Sequence, residues 1–146
     1  MIILRMHGVT HDAFDTTGSF LHAARWHKLG TRVVYAAEHV SLAALETLIH
    51  AGGRKLPPRS LTRIHIPDSL FIEEAAWMDM PESQNWGDAW VREARSAVLR
   101  VPSIAVNRLE SNFLLNPAHP DFGTIRRDPA EEFMFNPRFF LSVQAG

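Results

Sequence analysis

Three residues in the first third of the chain have types and spacing that suit joint chemistry. Arg25 stands in Ala24-Arg25-Trp26-His27, between a loop and an aromatic residue. Tyr35 lies inside the apolar run Val33-Val34-Tyr35-Ala36-Ala37. Its ring can pack there while its hydroxyl needs a partner. Glu46 falls four residues after Leu42, on a stripe where Leu42, Leu45 and Ile49 recur at helical spacing. A carboxylate on that stripe faces a core or a cleft, and taking it out of water is costly unless it is paired or hydrogen-bonded. Arg, Tyr and Glu from successive elements could line one cleft. The Arg would grip a pyrophosphate, the Tyr would meet a base or ribose, and the Glu would face a developing cation. The same three also fit a surface Arg, a core Tyr and a stripe-edge Glu that reaches solvent. Pattern alone does not choose between these.

Other reactive residues point less far. Ser103 ends a β-rich segment, where a hydroxyl can meet a ligand, but a Ser nucleophile needs a nearby base. No Gly-x-Ser-x-Gly elbow surrounds it, and strand-end serines commonly satisfy turns. Eight histidines raise the question of a metal. His7 and His11 are four apart, but Gly8 and Thr10 between them disfavour a helix, and no His-Glu-x-x-His occurs. No metal site is expected. The chain also lacks a Gly-x-Gly-x-x-Gly and a Walker loop. Trp86 and Trp90 read as core residues before they read as a ligand or partner platform.

The elements that must position these residues follow from local pattern. Ile2 to Met6 is a predicted strand, Asp15 to Gly18 a turn, and Arg32 to Ala37 a short strand. Ser41 is placed to cap a helix through its hydroxyl. That helix runs to about His50, with Gly52-Gly53 as its stop and Pro57-Pro58 preventing resumption. Leu61 to Ile66 alternates, with Thr62, Ile64 and Ile66 on one side and Leu61, Arg63 and His65 on the other. Phe71 to Glu73 is another short strand. Trp86 to Arg95 is a helix with both tryptophans on one face. Ala97 to Val101 is a strand ended by Pro102, and Asn112 to Leu115 a strand ended by Asn116-Pro117. Phe133 to Phe135 and Phe139 to Leu141 are the last strands, flanking a turn at Asn136-Pro137. Several short strands with two clear helices indicate an α+β fold: a small mixed sheet with flanking helices.

Composition sets the outer bounds. The 146 residues suit one domain, 1–146, and 46% hydrophobic with 21% charged residues is ordinary globular usage. There is no internal repeat and no linker. The absence of cysteine excludes disulfides and cysteine nucleophiles. No basic leader precedes an apolar run, and no segment is apolar enough to span a membrane, so a cytoplasmic protein is expected. Fifteen Lys and Arg against sixteen Asp and Glu leave a net charge of -1. That balance lacks the basic footprint of a direct nucleic-acid binder.

Taken together the segments resemble the RES domain family. The resemblance covers Ala24-Arg25-Trp26, Gly30, Val33 to Glu38, Ser41 to Glu46 and Ile64 to Asp68. It continues through Gly87 to Trp90, Ser96 to Ser103, Glu110 to Pro117, His119-Pro120 and Asn136 to Phe140. Order and spacing together make it specific. It implies a fold similar to that of ADP-ribosyltransferase toxins, and the toxin of a bacterial type II toxin–antitoxin pair. It implies NAD+ glycohydrolase or phosphorylase activity, which depletes NAD+ at the nicotinamide–ribose bond and uses it as substrate without a further cofactor. The implied partner is a helix-turn-helix, Xre-like antitoxin that blocks the active site, and a homo-oligomer within such a complex is compatible with it. The family's eponymous Arg, Glu and Ser correspond to Arg25, Glu46 and Ser103, and its active-site Tyr to Tyr35. Arg25, Tyr35 and Glu46 would be catalytic; Arg25, Tyr35 and Ser103 would bind NAD+. Family members often carry Gly before the Arg-Trp pair and Asn after it, where this chain has Ala24 and His27. Two further readings stay open: an ADP-ribosyltransferase acting on a macromolecule, and a catalytically inactive module that only engages its antitoxin.

Overall fold

Alternation of side chains builds one twisted sheet, because residues two apart along a strand share a face. The structure, a computed structural model, describes residues 1–140. Its strands are β1 (Ile2–His7), β2 (Val34–Ala37), β3 (Arg59–His65), β4 (Ile72–Glu74), β5 (Val98–Pro102), β6 (Ser111–Leu115), β7 (Arg126–Arg127) and β8 (Glu131–Phe133). They run in the order β4-β5-β6-β2-β1-β3-β7, with β8 also on β3. Only β4 and β5 pair in parallel. Three helices accompany them: α1 (Thr17–Leu21), α2 (Val40–Ala51) and α3 (Glu82–Arg92).

One face of the sheet carries Ile3, Val34, Ala36, Ile64, Val98, Phe113 and Leu115, closed over by Phe14, Leu70 and Phe122 from the connections. The other face has two separate clusters. Leu4, Ala37 and Leu61 pack beneath Leu42 and Ala43 of α2. Leu99, Val101 and Leu114 pack with Trp26 of the α1–β2 loop and Trp90 of α3. The two long helices thus share one face, and a gap separates them.

The middle of the sheet is weak at one place. β1 pairs with β3 over six residues, from Ile2↔His65 to His7↔Ser60. Against β2 it pairs only at Leu4↔Ala37. The Glu38 amide donates to Ser111 on the β6 side, so by the antiparallel alternation the backbone groups of Tyr35 and Ala37 face β1. Beyond Leu4 the two strands part, and the Tyr35 carbonyl has no ladder partner there.

Several element boundaries differ from the sequence expectation. His39, in extended backbone, precedes α2, which starts at Val40, so Ser41 lies inside the first turn and caps nothing. Gly52 ends α2 in the left-handed region at φ 60°, as its position implied. Within α2 the buried residues are Leu42, Ala43 and Ala51, while Leu45 and Ile49 are exposed. The covered face is therefore rotated from the expected stripe, and Glu46 still lies on it. α3 starts four residues earlier than Trp86 and ends at Arg92. Ala94 turns out of the helix at φ 48°, and Arg95 is drawn instead to Glu73, which it grips through Nε and Nη2. α1 occupies part of the expected turn at Asp15 to Gly18. Leu61 is as buried as Ile64, because α2 covers the second face of β3 as well. The last strand is Glu131–Phe133. Phe139 belongs to a 3-10 turn, Pro137–Phe140, not to a strand, because the Asn136 side chain accepts the Arg138 amide and starts the turn. Leu141 lies outside the described residues.

Candidate active site

The gap between the helices is a cavity of about 750 Å³, walled by β1, β2, α2 and the loop before β2. Arg25, Tyr35 and Glu46 all line it. Pattern had left these three open between cleft and surface; the fold brings them to one cavity.

Glu46 projects from the covered face of α2. Its Oε1 accepts from the Ser103 hydroxyl at 2.8 Å and from the Asn112 amide Nδ2 at 2.9 Å. Among the described residues it has no cationic partner. Two neutral donors hold one oxygen and leave Oε2 to the cavity. Ser103 is almost fully buried. It caps the 3-10 turn Ile104–Val106 by accepting the Ala105 amide at 3.2 Å. Its one proton goes to Glu46, so it stands behind the carboxylate and orients it. Its hydroxyl is committed in both directions, and Ser103 itself does not line the cavity. Asn112 is a further site residue that sequence reasoning did not single out. It lines the cavity, and its Oδ1 is enclosed with no hydrogen-bond partner.

Tyr35 turns its ring to the cavity, and its hydroxyl is engaged by the protein. His27 Nε2 lies 2.9 Å from the Ser19 carbonyl and 2.8 Å from the His22 carbonyl, so that nitrogen carries the proton. Nδ1 is then the acceptor for the Tyr35 hydroxyl at 2.7 Å. The Trp26 amide donates to the same hydroxyl at 3.3 Å. Burial pushes the Tyr35 phenol well above its ordinary value. His27, where the family often has Asn, is thus a buried tie between the loop and β2. The partner that the Tyr35 hydroxyl needed is this loop.

Arg25 is placed by its backbone. The carbonyls of Ala24 and Arg25 accept from Gln84 Nε2 at 2.8 Å and from the Ser83 hydroxyl at 2.5 Å, both on α3. The Trp26 carbonyl rests on Gly87, where a Cβ would lie 1.8 Å from its oxygen. The guanidinium lies over the Trp77 ring, 4.8 Å from its centre, a cation–π contact. Trp77, in the irregular segment before α3, gave no periodic signal in the sequence.

Two more arginines reach the cavity, Arg5 from β1 and Arg59 from β3. By alternation Arg5 shares the Ile3 face, opposite the helices, and it reaches the cavity only where β1 and β2 part, so the strand pattern did not point to it. Among the described residues no group of three His, Cys, Asp or Glu could hold a metal ion, and no helix is long and apolar enough to cross a membrane.

The model of the RES domain matches residues 2–136. The chain belongs to the RES domain family. This RES domain is 33% identical over 144 residues to the Prs ADP-ribosylating toxin of Sphingobium sp. (strain YBL2), covering 88% of this chain and 89% of that one. It is 36% identical over 120 residues to Toxin Res of Photorhabdus laumondii subsp. laumondii, covering 75% and 76%. Among solved structures, the RES domain superposes on a chain of the M. tuberculosis MbcT-MbcA toxin-antitoxin complex with a TM-score of 0.74 and 14% identity. The match covers 95% of this chain and 86% of that one. That likeness establishes the α+β toxin-type fold.

Proposed function

We propose that this RES domain is the toxin of a toxin–antitoxin pair, acting in the cytoplasm, and that it cleaves NAD+ at the nicotinamide–ribose bond. The carrying observation is Glu46: one carboxylate without a cation, oriented by Ser103 and Asn112, on the wall of an arginine-lined cavity. The nicotinamide of NAD+ is already cationic, so it leaves with the bonding electron pair and needs no acid. Positive charge then grows on the ribose. A fixed carboxylate stabilises that charge more than the ground state, because the ground-state charge sits on the leaving ring. Glu46 Oε2 supplies it. Arg25 binds the phosphates, the Tyr35 ring packs against the nucleotide, and Asn112 Nδ2 keeps Glu46 aimed at the ribose. Water or phosphate adds to the ribose cation and releases a proton. NAD+ is the substrate, and no further cofactor enters.

Purified protein incubated with NAD+ should release nicotinamide. Glu46→Gln should lower the rate about 10²–10³-fold, the scale of losing one preorganised electrostatic group. Intact NAD+ after hours at micromolar protein would overturn the reading. It would leave the antitoxin-binding module, whose partner is a helix-turn-helix protein. One relative is named an ADP-ribosylating toxin, which favours a second reading: a protein or nucleic acid accepts the ADP-ribose. Free ADP-ribose or its phosphate ester marks the first reading, and a target gaining the ADP-ribose mass marks the second.

A further inference from the structure

Arg5 and Arg59 are cationic groups that the folded chain does not neutralise. Both line the cavity and both are half-buried. Among the described residues neither forms an ion pair. Arg5 Nη1 donates to the Tyr35 carbonyl at 2.7 Å, filling the place where β1 and β2 cease to pair. Its Nε is enclosed and unpartnered. The Arg59 side chain makes no hydrogen bond to the described residues, and its Nε is enclosed as well. Each guanidinium has five fixed N–H groups, so most of the donors of this pair remain to be used. An enclosed charged donor without a partner costs about 1–3 kcal/mol or more, and two like charges at one wall add repulsion. Burial first, and then Arg59, lowers the Arg5 pKa to about 10, with Asp15 opposing from a distance. Burial lowers that of Arg59 as well. Both stay protonated at neutral pH.

We infer that Arg5 and Arg59 form a phosphate subsite in this cavity, separate from Arg25 on the Trp77 side. Planar forks with free, parallel N–H groups match the oxygens of a phosphate bidentately. A doubly charged group would accept from the remaining Nη N–H groups of the two side chains and offset their mutual repulsion. Two sources carry that chemistry: the pyrophosphate bridge of a dinucleotide, and free inorganic phosphate. The first source rests on the NAD+ reading above, and the second does not.

The test titrates the Glu46→Gln protein with ADP-ribose, inorganic pyrophosphate, inorganic phosphate and adenosine, with Arg59→Gln and Arg59→Lys added in turn. Arg59 holds no other group of the protein, so Arg59→Gln should fold with an unchanged or higher Tm. Its affinity for ADP-ribose and pyrophosphate should fall at least about tenfold, while adenosine binding holds. Arg59→Lys should recover only part of the loss, because an ammonium lacks the fork. If phosphate competes with ADP-ribose, the subsite takes the pyrophosphate bridge. If it binds beside ADP-ribose and depends on Arg59, the subsite takes free phosphate. Equal affinities in the parent Glu46→Gln protein and in both Arg59 variants of it would overturn the subsite while leaving NAD+ cleavage standing. Arg59-dependent pyrophosphate binding by a wild type that never consumes NAD+ would do the reverse. Failure of every phosphate compound to bind would overturn both.

Discussion

The Tyr35 hydroxyl has one proton to give, and it gives it to His27 while accepting from the Trp26 amide. Tyr35→Phe leaves both groups enclosed without a partner, at about 1–3 kcal/mol, but keeps the ring on the cavity. The expected outcome is a clear drop in Tm with NAD+ turnover at low temperature retained within a few fold. A loss as deep as that of Glu46→Gln would show the hydroxyl acting on substrate. Ser103→Ala tests the other orienting contact. It should reduce kcat with little change in KM, because Glu46 stays in place on Asn112 but is less well aimed. His7 gives the pH dependence of stability. It is buried, with Nε2 2.8 Å from the Thr62 hydroxyl, and burial first lowers its pKa below 6.5, with the charge of Arg5 adding. Between the folded pKa and the unfolded value the unfolded chain holds more protons. Stability therefore falls as pH drops through that window. Thermal melts from pH 7.5 to 5.5 should show a falling Tm, and His7→Gln should flatten the slope.

The elements explain which of these residues could be foreseen. The helix carrying Glu46 was legible because its apolar spacing and its Gly52 stop are local signals. The covered face was misjudged by one position, since Leu45 and Ile49 open onto solvent and cavity where the stripe suggested core. β1, β2, β3 and β6 were legible for the same reason, but their neighbours in the sheet were not. Nothing near Arg5 in sequence announces that β2 parts from β1 beside it. Trp77 and Asn112 meet partners distant in sequence, and Arg59 meets only the cavity, so the packed fold alone reveals them. The resemblance, not periodicity, singled out Ser103, and packing then gave it a role behind Glu46. α3 shows the same dependence at the scale of an element. Its Ser83, Gln84 and Gly87 present one face to three successive carbonyls of the Arg25 loop. Gly87→Ala puts a methyl into the Trp26 carbonyl. It should cost about 1–3 kcal/mol by overpacking and displace Arg25, lowering Tm and raising KM together. A variant with wild-type Tm and KM would show that the loop does not rest on α3.

At the scale of the whole molecule, a ligand in the cavity touches the β1–β3 side through Arg5 and Arg59 and the β2–β6 side through Tyr35 and Asn112. Binding to the folded form alone stabilises it by about 2.7 kcal/mol at roughly 100 times Kd. For a chain of this length that is roughly 5–10 °C in Tm. ADP-ribose should produce such a shift in the Glu46→Gln protein, and a flat melting temperature across the titration would refute occupancy. Leu4 and Ala37 make the one backbone pairing between those two halves. A pairing one residue pair long has little cooperativity of its own, so its amides should trade hydrogen for deuterium long before the six-residue ladder of β1 with β3. Filling the cavity protects them. The isotope content of one peptide around Leu4 thus becomes a gauge of how much of the protein is occupied, readable without any turnover.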